Sequence, residues 1–209
     1  MRPSRIVPLG CLMGTALLLC GPAAAQPKPD PDWPCPQRKA PELDLAQVWT
    51  GPDPASAGTW TDDQDAATLA QKLSSRRTRF EEMDSLLDAF VKEAGNEANT
   101  RLLRVMAGVH DIISSERARL IHGIERYARG QQRLADRVRQ EGDELSKAKP
   151  SPAAPETPET KTLQEQLTWD VRIFDERAKS LIYVCETPVL MEQRAYEIGQ
   201  KIAAHMKAG

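Results

Sequence analysis

The sequence predicts an all-α protein: an elongated antiparallel bundle of three to four helices, with a coiled-coil-like long helical hairpin and an extended proline-rich N-terminal arm. From residue 61 onward Ala, Leu, Glu, Arg and Gln dominate, which is the composition of long helices. Apolar residues recur there at steps of three and four, as on one buried face of a helix. Prolines concentrate before residue 60 and over 149–160, which leaves long stretches free to form antiparallel helices.

The first 25 residues predict a secretory signal peptide. Arg2 and Arg5 precede an apolar run over 9–19, and the small residues at 23–25 suit cleavage by a signal peptidase. The apolar run is shorter than the roughly 20 residues that a membrane-spanning helix needs, and no later segment is apolar enough, so we expect no transmembrane segment. The Ala-, Arg- and Pro-rich usage is typical of a bacterium, and we expect a periplasmic or secreted protein.

A lipid-anchored cysteine is the alternative to a cleaved signal. Such a site needs a small residue before the cysteine, whereas Cys20 follows Leu19. Cys11 follows Gly10 but falls before the main apolar run. The sequence therefore favours export of a mature chain that begins at residue 26.

Residues 26–60 predict an extended arm that lies over the helices. Pro and Gly recur there too closely for a long helix and favour a polyproline-like chain. Because a disordered linker seldom carries three tryptophans, we expect Trp33, Trp49 and Trp60 to anchor the arm in grooves between helices. The alternative is that these rings line a ligand pocket or grip a partner.

The helical bundle is predicted over 61–209, and its first two helices over 61–94 and 97–148. The first helix begins with a capping box at 61–64, and its apolar stripe is interrupted by Arg76 and Arg77. The second helix contains no proline, and at about 1.5 Å per residue it would be ~75 Å long.

A proline-rich loop over 149–160 is predicted to turn the chain back, followed by helices over 162–186 and 187–207. The first of these begins with a capping box between Thr162 and Glu165, and Thr187 before Pro188 suits the start of a new helix. Because the spacing of three and four nearly continues through Pro188, one kinked helix is the alternative.

Removal of the signal leaves two cysteines, Cys35 and Cys185, about 150 residues apart. In an oxidising compartment such a pair usually forms a disulfide, which here would tie the arm to the helix before Pro188. The alternatives are separate thiols, pairing between two chains, or a redox or metal site. Neither cysteine belongs to a C-x-x-C motif or has a neighbouring histidine, so the sequence favours the structural disulfide.

An arginine ridge at steps of three and four marks the predicted helix over 97–148: Arg126, Arg129, Arg133 and Arg137. It is a candidate partner surface, and the alternative is a solvated face balanced by nearby acids. The chain has 28 Lys and Arg against 30 Asp and Glu, and aromatic residues do not alternate with the arginines. This balance argues against a nucleic-acid partner.

No catalytic motif is present: the sequence lacks G-x-S-x-G, H-E-x-x-H and a phosphate-binding glycine loop. The histidines, His110, His122 and His205, are not spaced as metal ligands on one helix, where three or four residues separate a pair. We therefore predict a protein that is not an enzyme and has no metal, catalytic residue or cofactor.

The leading hypothesis for function is an exported, non-enzymatic helical protein that acts as an interaction, scaffold or assembly factor of the bacterial envelope. Its partner is a protein of unknown identity, and the coiled-coil seam also permits a homodimer. The alternative is a periplasmic module that binds a small molecule in a pocket between the helices and the tryptophan-bearing arm.

Overall fold

The chain is all-α and is built around a long helical hairpin. A computed structural model describes residues 30, 32–151, 153 and 155–206, and no β-strand occurs within these residues. The predicted signal peptide, 1–25, and the first residues of the arm, 26–29, lie outside them. The α-helices are α1 (Leu45–Val48), α2 (Gln64–Ser74), α3 (Phe80–Ala94), α4 (Ala98–Ala148) and α5 (Pro158–His205). α4 and α5 form the hairpin, and α2 and α3 pack on its open end.

The single helix predicted over 61–94 is wrong, because the structure divides it into α2 and α3. α2 begins later than expected: Asp63 is its N-cap and its carboxylate accepts from the backbone N–H of Ala66 at 3.1 Å. At the other end Ser75 is extended, and the chain turns before α3 begins. The guanidinium of Arg194, from α5, donates to the carbonyls of Leu73, Ser75 and Thr78. These bonds satisfy carbonyls that the helix end leaves free.

The structure also corrects the two helices predicted over 162–186 and 187–207, since α5 continues through Pro188. The hydroxyl of Thr187 donates to the carbonyl of Tyr183 one turn back, so Thr187 does not cap a new helix. A proline removes one helical N–H and crowds the preceding turn. The carbonyl four residues before Pro188 belongs to Val184, and the next carbonyl, that of Cys185, accepts from the side chain of Gln37 in the arm.

The start of α5 lies four residues earlier than predicted. Thr157 is the N-cap, and its hydroxyl accepts from the backbone N–H of Thr160 at 3.2 Å. The hydroxyl of Thr160 accepts from the N–H of Thr157 at 2.9 Å, which completes a capping box. The box predicted between Thr162 and Glu165 is therefore not the one that begins this helix.

We call α2, α3, residues 98–120 and residues 188–205 the base. Its core joins all of these segments to Val48 and Trp49 of the arm. The largest side chains that are fully buried there include Leu102, Met106 and Ile198. The core is therefore concentrated at the open end of the hairpin.

We call residues 125–148 of α4 and 158–181 of α5 the tip. Only two helices meet here, and the hydrophobic side chains buried along it are Ala128 and Leu134. Glu141 of α4 and Asp170 of α5 are buried as well. No helix within the described residues is both long enough and apolar enough to cross a membrane.

Candidate functional site

The predicted disulfide between Cys35 and Cys185 is present within one chain, with a Cα–Cα distance of 5.5 Å. Both cysteines are buried against Ile124 of α4, and Trp33 packs beside them. The bond therefore holds the arm against the middle of the hairpin, between the base and the tip.

The three tryptophans of the arm lie against different parts of the hairpin. Trp33 is half-buried beside the disulfide, and its indole N–H donates to the carbonyl of Gln37 at 2.6 Å. Trp49 is buried in the core of the base and donates to the carbonyl of Pro52 at 2.7 Å.

Trp60 donates to a carboxylate oxygen of Asp111, on α4, at 2.8 Å. Its ring lies over Gly108, where an added Cβ would be 2.9 Å from the indole. Glycine at this position therefore lets the ring approach the helix backbone. These contacts place each ring against the folded chain, and a role in ligand binding stays a prediction.

Buried and half-buried arginines join the arm to the helices. The sequence did not distinguish these arginines from those on the surface. Arg117 is buried, and its guanidinium donates to the carbonyl of Ala40 in the arm and to that of Pro188 in α5. Arg101 and Arg104 both pair with Asp63, and the hydrogen bond from Arg101 holds the pKa of that carboxyl well below its usual range. These residues support the fold.

The arginine ridge is divided in its contacts. Arg129 pairs with Asp32 of the arm at 2.7 Å, and Arg137 pairs with Asp170 of α5. Arg126 and Arg133 are exposed. Each guanidinium lies near the glycine three residues earlier, Gly123 or Gly130, at 3.9 Å from the position that an added Cβ would occupy. Two of the four side chains are thus bound within the chain, and the ridge as a partner surface stays a prediction.

A different surface stands out on α5, and sequence reasoning missed it. Eight large hydrophobic side chains are exposed within the described residues, and all eight belong to this helix: Trp169, Val171, Ile173, Ile182, Tyr183, Val189, Leu190 and Tyr196. We call these residues the α5 face. The exposed fraction reaches 74% for Tyr183, 64% for Ile182 and 62% for Trp169.

Five of the eight side chains of the α5 face fall into two rows along the helix. Residues seven apart lie on the same side of a helix, which aligns Ile182, Val189 and Tyr196 in one row and Tyr183 with Leu190 in another. A signal was available in the sequence for Ile182, Tyr183 and Val189, because these apolar residues fall outside the stripe that predicts the buried side of the helix.

The tip contains a pair of buried carboxyl groups. The amide of Gln166 donates to one oxygen of Glu141 at 3.0 Å, while the other oxygen of Glu141 is buried without a hydrogen-bond partner. Burial, together with the negative charge of Asp170, raises the pKa of Glu141. Arg137 pairs closely with Asp170 but lies 4.0 Å from Glu141, so one guanidinium serves two carboxyl groups.

The histidines occupy separate structural settings. His110 hydrogen-bonds the carbonyl of Leu43 at 2.8 Å, and His122 lies 3.2 Å from a carboxylate oxygen of Glu125. Within the described residues, no three His, Cys, Asp or Glu side chains are grouped as a metal site requires.

Comparison with known proteins adds no family to these observations. No known protein family matches the chain, and no curated protein or solved structure matches it either. The interpretation of function therefore rests on the chain's own residues.

Proposed function

We propose that this protein is an exported, non-enzymatic helical protein that acts as an interaction, scaffold or assembly factor of the bacterial envelope. The α5 face is its contact surface, and the partner is another protein. The observation that carries the proposal is the concentration of exposed large hydrophobic side chains on α5. Large exposed apolar side chains in rows along one helix, as for Ile182, Val189 and Tyr196, are costly to leave in water and typical of a site of association.

The support that α5 receives from the rest of the chain suits a contact surface. Cys185 fixes the middle of α5 to the arm. Arg117 of α4 donates to the carbonyl of Pro188 in α5, and Arg194 of α5 donates to the carbonyl of Ser75 after α2. A helix held in this way loses little conformational entropy when a partner binds. The disulfide also supports export, since such bonds persist in oxidising compartments.

The aromatic content of the α5 face favours a protein partner. Trp169, Tyr183 and Tyr196 are amphipathic rings of the kind that dominate the energetics of protein interfaces. Arg172 lies over the ring of Trp169, 5.8 Å from its centre, so this part of the surface combines an aromatic ring with a cation.

The test is a native pull-down of the tagged mature chain from its own envelope extract, with sizing by light scattering. We expect a stoichiometric partner that is retained by the wild type and lost with the double variant Ile182→Asp and Val189→Asp. The matched control, Gln164→Asp with Gln200→Asp, adds the same charge at exposed polar positions of α5 and should retain the partner. A partner bound equally by all three proteins would place the contact elsewhere, and a dimer lost with the first variant would identify a second copy as the partner.

A specific cavity favours the second candidate, a periplasmic module that binds a small molecule. A groove of about 390 Å³ lies between Pro34 of the arm, Ala128 of α4 and Phe174 of α5. Its walls are mainly apolar, and the side-chain oxygen of Gln131 beside it is buried without a hydrogen-bond partner. A ligand seated there would lie next to the segment that carries Trp33. Ligand-dependent fluorescence that is lost in Trp33→Phe supports this candidate, and an unchanged spectrum with every co-purified molecule counts against it.

A further inference from the structure

A second cavity, of about 570 Å³, opens at the corner where α2 turns into α3. We call it the corner pocket. Its volume lies within the range of about 300 to 1,000 Å³ that is typical of small-molecule sites. It is separate from the α5 face and from the groove beside Pro34, so the inference that follows does not depend on the function proposed above.

One side of the corner pocket is apolar. Ile112 and Leu120 of α4 line it together with Met191 of α5, and all three belong to or pack against the core of the base. This surface can remove an aliphatic chain from water at a gain of about 0.8 kcal/mol per buried CH₂ group.

The other side of the pocket is cationic. Arg76 and Arg77 line it from the turn after α2, and both are exposed and without an ion-pair partner among the described residues. Arg194 fixes the turn that carries them, because its guanidinium donates to the carbonyls of Ser75 and Thr78. Burial, and the positive charge of Arg76, lower the pKa of Arg194. Arg76 is thus held near a second cation, and Arg77 follows it in the same turn.

Glu116 also lines the pocket and carries one negative charge. With Arg76 and Arg77, the side chains of the lining sum to a single positive charge. The pocket therefore complements a ligand with one negative charge better than a dianion.

We propose that the corner pocket binds an amphiphile with one negative charge, a carboxylate at the end of an aliphatic chain. The carboxylate accepts from Arg76 and Arg77, and the chain lies along Ile112, Leu120 and Met191. The pocket provides the two chemistries side by side, and neither a neutral hydrocarbon nor a small inorganic anion would use both.

The probe for this proposal is decanoate, titrated calorimetrically into the full mature chain below its critical micelle concentration. Decanol offers the same chain without the charge, and acetate offers the charge without the chain. We expect decanoate to bind at least about tenfold more tightly than either, since a charge-assisted hydrogen bond contributes roughly the 1.4 kcal/mol that corresponds to tenfold. Equal binding of decanol, or no binding of decanoate, overturns the proposal.

Two double variants locate the binding. The double variant Arg76→Gln and Arg77→Gln is expected to weaken decanoate by about tenfold or more, whereas Arg119→Gln with Arg139→Gln removes the same charge from exposed positions outside the pocket and leaves the affinity unchanged. Decanoate affinity that is the same in the Arg76/Arg77 variant as in the wild type overturns the assignment.

Discussion

At the base, α2 and α3 cover the hairpin and bury Leu102 and Ile198 completely, whereas at the tip two helices share a narrow seam that buries Glu141 and Asp170. The carboxyl groups reflect the same difference. At the base, hydrogen bonding by Arg101 lowers the pKa of Asp63, while at the tip burial raises the pKa of Glu141. At the base, both carboxylate oxygens of Asp63 accept hydrogen bonds. At the tip, one oxygen of Glu141 is buried without a hydrogen-bond partner.

This difference indicates how stability is distributed along the hairpin. The base buries enough apolar area to hold the fold, since each fully buried aliphatic side chain contributes about 1.5 to 3 kcal/mol. The tip extends two helices into solvent with much less buried apolar surface, so its outer side chains remain accessible. The disulfide lies where the two regions meet.

Removal of the disulfide should have the largest effect on this arrangement. The bond closes a loop of 150 residues, and in the chain-entropy model such a loop contributes about 5 kcal/mol by restricting the unfolded chain. We expect the double variant Cys35→Ala and Cys185→Ala to lose close to that amount, measured by urea unfolding against the oxidised wild type. An identical loss on adding a reductant to the wild type is the control. A loss below about 1 kcal/mol would contradict the chain-entropy account of this bond.

Truncation of matched leucines compares the two regions directly. Leu102 is fully buried at the base, whereas Leu145 is half-buried at the tip. We expect Leu102→Ala to reduce the free energy of unfolding by about 3 kcal/mol and Leu145→Ala by about 1 kcal/mol, because less surface is buried and less cavity is left at the tip. Equal losses in chemical unfolding would contradict the view that the core is concentrated at the base.

Replacement of Asp63, the paired carboxylate at the base, should reduce the free energy of unfolding by an amount that depends on pH. Asp63→Asn keeps a side-chain acceptor for the helix cap but removes the charge that pairs with Arg101 and Arg104. We expect about 2 kcal/mol of destabilisation at pH 7. The pKa of Asp63 is lowered by folding, so its contribution is complete above the unfolded value of about 3.9 and is lost as the pH falls.

The midpoints of urea unfolding at a series of pH values test the direction of this pH dependence. The difference in the free energy of unfolding between Asp63→Asn and the wild type should narrow below about pH 4, because the Asp63 carboxyl takes up a proton there in the unfolded wild type but stays ionised in the folded protein. A difference that stays constant down to pH 2 would show that the cost of the substitution is steric.

Replacement of Glu141, the under-paired carboxyl at the tip, should have the smallest effect, and it should stabilise the protein. Folding raises the pKa of Glu141, so the native protein binds its proton more tightly and the associated stability is lost as the pH rises through the folded pKa. Glu141→Gln removes the buried charge and offers an amide donor to Asp170. We expect about 1 kcal/mol of added stability at pH 8 and no gain at pH 4.

Hydrogen exchange of backbone amides in the tip measures this change in stability locally, with amides of the base as the internal reference. Slower exchange at the tip in Glu141→Gln at pH 8 is the expected result. Faster exchange there would mean that the charged form of Glu141 is better satisfied than its contacts with Gln166 and Arg137 indicate.

The sequence predicted the hairpin and the disulfide for reasons that are local or chemical. Helical spacing of apolar residues and the absence of proline identify the stretch that becomes α4, and the two cysteines that follow a predicted export signal indicate one bond. The break at Arg76 and Arg77 was visible as an interruption of the stripe. Whether it ends a helix depends on Arg194, which lies more than 100 residues away in the chain.

The candidate surfaces were predicted less well, because exposure depends on what covers a face. The arginine ridge has the spacing of a surface, yet Arg129 and Arg137 are paired with residues of the arm and of α5. Trp169 carried no distinguishing pattern in the sequence, and it is among the most exposed aromatic side chains of the described residues.

The sequence by itself determined the all-α class, the long hairpin helices and the cysteine pair, because periodicity, proline placement and thiol chemistry act through neighbouring residues or through residue type alone. The tertiary structure decided where α2 ends, how α5 passes Pro188, and which apolar side chains stay in water. Those outcomes depend on partners distant in sequence: Arg194 supplies donors at the end of α2, and Gln37 supplies one beside Pro188. No neighbouring helix covers the α5 face within the described residues, and only the packed chain reveals that its apolar side chains remain exposed.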